Sequence, residues 1–393
     1  MVKAVRVIKD GIGRSEKREG SRVKGGVGGE ENGSGEPGDK RKQCDKVSRR
    51  VEDDWIQEAV RLLDMAVIVA GAPEREEMIG EILSALQAYV EDLESVPPKK
   101  KRKKESGGFP TEGKNVPKIH FPIPMRSAVS MEAFEKHIET GQPMLISNAL
   151  RHWPALHERP WKNPGYLLKK TFGGRRLVPV EIGRSYTDDG WGQSIITFKE
   201  FMDEHLTPDS LISGEGGKGV CSRSIAYLAQ YDLLTQIPSL RADISIPDFC
   251  YTNPPPPAPG TPLASKSPQP KLGEPLLNAW FGPAGTVSPL HTDPYHNILC
   301  QVVGKKYVRL YSPEESGHLY PKPADPFSGV DMSNTSEVDV EAVDENPKRF
   351  PLFKEARFVE CVLEEGECLY VPVGWWHYVS SLSVSFSVSF WWN

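Results

Sequence analysis

The chain has 393 residues, of which 38% are hydrophobic and 26% charged, and a formal net charge of -5. That is enough apolar material for a full core, and the charge balance excludes general attraction to nucleic acid. No apolar run approaches eighteen residues and no signal-peptide core opens the chain, so a soluble, non-secreted protein without membrane contact is expected.

Residues 1–50 combine Gly25-Gly26-Val27-Gly28-Gly29 with alternating charge blocks and little apolar surface, which predicts a disordered arm. The glycines do not make a phosphate loop, because no strand precedes them and no Lys-Ser/Thr pair closes them. Within 51–96, Trp55, Ala59, Leu62, Leu63, Ala66 and Val67, then Ile79, Ile82, Leu83, Leu86, Tyr89, Val90 and Leu93, recur at helical spacing around Gly71-Ala72-Pro73. The spacing predicts an antiparallel helix pair. Residues 97–117 are a basic linker whose run from Lys99 to Lys104 resembles an import signal. An import receptor as partner, a nuclear protein with a cytoplasmic pool, and no direct nucleic-acid binding are the expectations.

From residue 118 the pattern becomes one of short strands. Ser130 is placed to cap a helix, and strands are predicted at Pro143–Ser147, Leu177–Ile182, Ile195–Thr197 and Leu276–Trp280. Strands without alternating helices point to a barrel or sandwich. Residues 253–274 are too dense in proline for a strand and predict an extended loop. Ile298–Val303 and Lys305–Leu310 flank Gly304 and predict a tight hairpin. Pro313–Asn346 is polar and predicts loop, whereas Cys368–Pro372, His377–Val379 and Val384–Trp392 predict three final strands. Six cysteines without a Cys-x-x-Cys pair indicate reduced thiols, with neither a disulfide framework nor a zinc module.

The chemistry concentrates in the stretch from Ser288 to Asn297 and in Trp375-Trp376-His377-Tyr378. On a strand, His291 and Asp293 project to the same side. With His377 they supply two imidazoles and one carboxylate, the donor set of non-haem Fe(II) oxygenases. The helical His-Glu-x-x-His of many zinc sites is absent. Alternation along Lys305–Tyr311 turns Lys306, Val308 and Leu310 inward, and a buried ammonium needs an anion from a side chain or a ligand.

Together with Asn278-Ala279-Trp280-Phe281-Gly282-Pro283, Asn297 and Lys306, these motifs resemble the JmjC-domain 2-oxoglutarate oxygenases, above all the JmjC-only group described as lysine demethylases and arginyl hydroxylases. The resemblance runs from about Phe121 to Asn393. It implies a mainly β protein, a double-stranded β-helix (jelly-roll, cupin-like JmjC domain) over 118–393, with flanking helices and the N-terminal helical module. It also implies Fe(II) as cofactor, 2-oxoglutarate and O2 as cosubstrates, and succinate and CO2 as co-products. His291, Asp293 and His377 would hold the iron. Lys306 and Tyr227 would receive the distal carboxylate of 2-oxoglutarate, with Ser288 and Asn297 adding polar contacts. Glu181, Gln230 and Trp280 would meet the substrate, Glu181 matching a position that contacts a guanidinium. The substrate is then a protein or peptide, arginine-containing or a histone tail, either hydroxylated or demethylated at N-methyl-lysine. The lack of a Cys/His reader module favours hydroxylation, and the intact triad opposes a non-catalytic scaffold. Two departures stand out: the loop at 253–274 is longer than the family pattern, and Ser380 stands where relatives carry a basic residue.

Overall fold

The computed structural model describes residues 3–13, 55–94, 108–110, 113–206, 225–257, 264, 269–323, 331–343 and 348–393. They belong to two compact units, one drawn from Met1–Lys103 with Thr171–Val178, the other from Lys104–Lys170 with Pro179–Asn393.

The first unit contains helices α1 (3–13), α2 (55–70) and α3 (Glu76–Glu94). The ring of Trp55, at the start of α2, lies 6.3 Å from that of Tyr89, late in α3, so the pair runs antiparallel as expected. Ile56, Ala59, Leu63, Ile79, Leu83, Leu86 and Val90 close their apolar stripes. Helix α1 corrects the expectation of a disordered arm for the part described. Ala4, Val7 and Ile8 share one face and pack on the same core, and Gly11 allows the close approach, since a Cβ there would lie 2.2 Å from the Trp55 ring. Thr171–Val178 joins this unit through a buried ion pair. Arg176 donates to both oxygens of Asp64, at 2.8 and 3.0 Å, and the Leu177 N–H donates to the same carboxylate at 2.8 Å. The arm from residue 14 to 50 and the run from Lys99 to Lys104 lie outside the described residues.

The strands are β1 (Met125–Ser127), β2 (Met144–Ser147), β3 (Leu177–Ile182), β4 (Gly192–Thr197), β5 (Ala226–Tyr231), β6 (Leu276–Gly282), β7 (Val287–Thr292), β8 (His296–Val303), β9 (Lys306–Tyr311), β10 (Phe358–Leu363), β11 (Cys368–Val371), β12 (Trp376–Ser381) and β13 (Ser385–Trp392). They form a nine-stranded sheet, β1-β2-β11-β8-β13-β6-β5-β3-β4, and a four-stranded sheet, β10-β9-β12-β7. This is the expected double-stranded β-helix. Leu299, Leu369 and Val371 of the large sheet meet Val308, Leu310 and Val379 of the small one in a single buried cluster. The helix Met131–Ile138 is capped as predicted, Ser130 Oγ accepting from the Ala133 N–H at 3.2 Å.

Gly304 does not close a hairpin. β8 pairs with β11 and β13, and β9 with β10 and β12, so both edges of each strand are occupied by other partners. The chain instead turns a corner from one sheet to the other. Gly304 has φ 72°, and a Cβ there would lie 2.0 Å from the Val384 carbonyl oxygen, so the corner requires glycine. The described residues of 253–257, 264 and 269–274 have no regular structure, as the prolines predict. Cys250, Cys300, Cys361 and Cys368 are free and buried. No helix among the described residues is long and apolar enough to cross a membrane.

Candidate metal centre

β7 and β12 lie side by side in the small sheet, with His291 directly opposite His377. Both imidazoles are held through Nδ1, which lies 2.7 Å from the Pro289 carbonyl in His291 and 3.0 Å from the Trp375 carbonyl in His377. A carbonyl can only accept, so Nδ1 carries the proton and Nε2 keeps its lone pair. The two Nε2 atoms lie 3.6 and 3.4 Å from the two oxygens of Asp293. One donor atom from each of the three residues falls within 4.8 Å of the others. Burial alone would raise Asp293, but whenever His377 and His291 also carry a proton on Nε2 their charges and hydrogen bonds hold it well below the carboxylate range. Three preoriented donors, two nitrogen and one carboxylate, would suit a divalent iron that takes further ligands.

At the other end of β9 from Leu310, the residue opposite His377, Lys306 is 1% exposed and donates to the Tyr227 hydroxyl at 3.0 Å. Its ammonium lies 5.5 Å from the Tyr227 ring and 5.9 Å from that of Trp280. Burial lowers it to about 7, and no carboxylate pairs with it among the described residues. Ser288 hydrogen-bonds the Tyr227 hydroxyl, which burial pushes far up. Asn297 donates from Nδ2 to Asp293 at 3.3 Å, while its Oδ1 is buried with no partner among the described residues. Its amide thus orients the carboxylate, and the orphan oxygen suits a water bound alongside. The donor triad and an enclosed, unpaired ammonium fit Fe(II) with a small dianion.

Residues 130–393 match the family described as cupin-like domain. Over 355 residues the chain is 38% identical to lysine-specific demethylase 8 of Danio rerio, an alignment covering 86% of this chain and 75% of that protein. The chain belongs to the cupin-like JmjC oxygenases. It is also 43% identical over 272 residues to lysine-specific demethylase JMJ30 of Arabidopsis thaliana, covering 69% of this chain and 54% of that one. Against the bifunctional peptidase and (3S)-lysyl hydroxylase JMJD7 of Homo sapiens the identity is 26% over 274 residues, covering 64% and 78%. This JmjC protein is therefore a 2-oxoglutarate-dependent dioxygenase, and the scaffold reading falls.

The three residues expected to meet the substrate are arranged around Tyr227 and β5. Glu181 on β3 sits opposite Tyr227 on β5 and is half-buried; burial raises its carboxyl, with a hydrogen bond to Trp191 pulling the other way. Trp280 donates from Nε1 to Ser389 Oγ at 2.9 Å, with its ring 6.1 Å from that of Tyr227. Gln230 is exposed, at φ 45°, in an irregular stretch of β5 between the pairs Leu228–Phe281 and Tyr231–Ala279, which flank Trp280. Two residues escaped sequence reasoning. The Tyr186 hydroxyl is raised by burial to about 12, with the charges of Glu181 and Asp293 adding to it, and it lies 3.4 Å from the Thr335 hydroxyl. Trp191 follows the polar turn ending at Gly190 and carries no local signal beyond its size. Ser380 donates to Glu341 Oε1 at 3.3 Å, a contact that accounts for its surroundings without a charge at that position.

Proposed function

We propose that this JmjC protein hydroxylates an arginine side chain in a protein substrate. In this reading His291, Asp293 and His377 hold Fe(II), Lys306 and Tyr227 receive the distal carboxylate of 2-oxoglutarate, and Ser288 and Asn297 complete the polar wall. The bound iron and cosubstrate supply the oxidation, with O2 and 2-oxoglutarate converted to succinate and CO2 as one oxygen atom enters the substrate. The protein's own work is positional. The histidine Nδ1 bonds fix both ligand nitrogens, Asn297 fixes Asp293, and the enclosed Lys306 selects a small dianion.

The observation that carries the choice of arginine is Glu181, a half-buried carboxylate with no cationic partner among the described residues. A planar guanidinium would satisfy both of its oxygens through paired hydrogen bonds. Gln230 lies on the same strand as Tyr227, which faces Glu181, and the Trp280 ring lies 6.1 Å from that of Tyr227. The names of the zebrafish and plant relatives favour a second reading, demethylation of N-methyl-lysine. Mass spectrometry separates the two after incubating arginine and methyl-lysine peptides with iron, ascorbate and 2-oxoglutarate. Gain of one oxygen on an arginine peptide is expected; methyl loss with formaldehyde and no oxygen gain would select demethylation. A nuclear location is proposed on the run from Lys99 to Lys104, and imaging with that run neutralised tests it.

A further inference from the structure

Residues 331–343 run as a strap along β7, the outer strand of the small sheet and the one that carries His291. The Ser336 N–H donates to the Leu290 carbonyl at 2.8 Å, the Thr292 N–H to the Asn334 carbonyl at 2.9 Å, and Asn334 Nδ2 to the Thr292 carbonyl at 3.1 Å. Thr335 bridges His291 itself. Without the strap this edge would present unpaired backbone groups.

On its other side β7 is imperfectly held. Pro289 has no N–H to give, and the pairing with β12 shifts register between His377 and Val379, beside the histidine pair. Strand pairing therefore joins the two ligands directly but breaks immediately beside them.

Glu341, at the end of the strap, supplies what the ladder lacks. Its Oε1 accepts from the Tyr378 hydroxyl at 2.8 Å, from Lys114 at 3.0 Å and from Ser380 at 3.3 Å. Its Oε2 accepts from Arg184 at 3.0 Å, and Arg184 also donates to Asp339 of the strap at 2.8 Å. Tyr378 follows His377 on β12. One carboxylate is thus tied directly to the strand of His377 and, through the strap, to the strand of His291.

We propose that Glu341 is a positioning residue for the metal centre, bracing β7 against β12 without touching the metal. The proposal rests on the reading that the triad holds a metal ion. The Lys114 and Arg184 pairs are each partly exposed, and such pairs stabilise a fold little. Tyr378 is buried, so a purely structural role predicts that any loss of metal affinity merely follows a loss of stability. Holding two ligands in place predicts a loss of metal affinity of about tenfold or more, as for other groups that orient ligands.

The test is titration of the full chain with Mn(II), following the resonance signal of the free ion, for wild type, Glu341→Gln, Lys114→Gln and His377→Ala, with thermal unfolding of the same samples. Glu341→Gln is expected to bind Mn(II) about tenfold more weakly with its unfolding midpoint moved by a few degrees at most. Lys114→Gln should move affinity the same way by less. Unchanged affinity in Glu341→Gln overturns the proposal, as does a loss that only follows a fall in the midpoint. Should Glu341→Gln fail to fold, Lys114→Gln decides, and wild-type affinity there overturns it. Wild type binding no better than His377→Ala would instead reject the metal reading beneath it.

Discussion

Lys306 and Glu181 flank the same residue, one hydrogen-bonded to the Tyr227 hydroxyl and the other opposite Tyr227 on the neighbouring strand. Burial moves both toward neutrality, Lys306 down and Glu181 up, but to different extents of enclosure. Lys306 is sealed among Tyr227, Trp280 and the sheet, which suits a small counter-ion. Glu181 stays partly open, which suits a cation that arrives on a large molecule and leaves with it. In the proposed reading the same tyrosine separates the place of the cosubstrate from the place of the substrate.

The broadest way to break this comparison is to remove what both sides serve. His291→Ala or Asp293→Ala is expected to abolish turnover, by about a thousandfold or more, together with metal binding; retained Mn(II) affinity would place the metal elsewhere. The cosubstrate side alone is addressed by Lys306→Ala. Loss of a buried charge-assisted bond is expected to weaken 2-oxoglutarate binding about a hundredfold while leaving Mn(II) affinity near wild type, as calorimetry would show.

The pH dependence sharpens the same point. In the free site Lys306 is lowered to about 7, and a bound dicarboxylate raises it. Below that pH the ammonium is already present and affinity should be flat. Above it, binding must take up a proton, so 2-oxoglutarate affinity should fall by up to about tenfold per pH unit between 7 and 9. Equal affinity at pH 7 and 9 would mean that Lys306 remains charged throughout. The smallest effect belongs to the substrate side. Glu181→Gln is expected to lower kcat/KM for arginine peptides about fivefold to tenfold and leave 2-oxoglutarate affinity unchanged, a half-open carboxylate being partly replaced by water. An equal loss on methyl-lysine peptides would remove the guanidinium assignment.

The ligand residues and Lys306 were legible in the sequence because period-two alternation is local. It places His291 beside Asp293, and Lys306 with Val308 and Leu310, before any partner strand is known. The corner at Gly304 was not legible. A glycine between two apolar strands reads the same whether the strands pair or part, and the difference lies in β11, β13, β10 and β12, all remote in sequence. Helix α1 was hidden by its basic, glycine-bearing context, although Ala4, Val7 and Ile8 carry the spacing. The Asp64–Arg176 pair, which places Thr171–Val178 in the first unit, has no local signature. Neither has Glu341, an acidic residue in a polar loop until the fold brings Tyr378, Lys114 and Arg184 to it.

The place of β12 between β9 and β7 bears on how a protein with this triad would acquire and keep a metal ion. His377 meets His291 only once a strand from far downstream has inserted between two that precede it, and pairings of such sequence separation are slow to form. The complete triad is then a product of folding and not a guide to it. Interactions made after the rate-limiting step act on escape from the native state, not on arrival. A divalent ion should therefore lengthen the lifetime of the folded domain in denaturant while its refolding rate stays as it is without the ion, so that losing the metal shortens the protein's survival without impairing its birth.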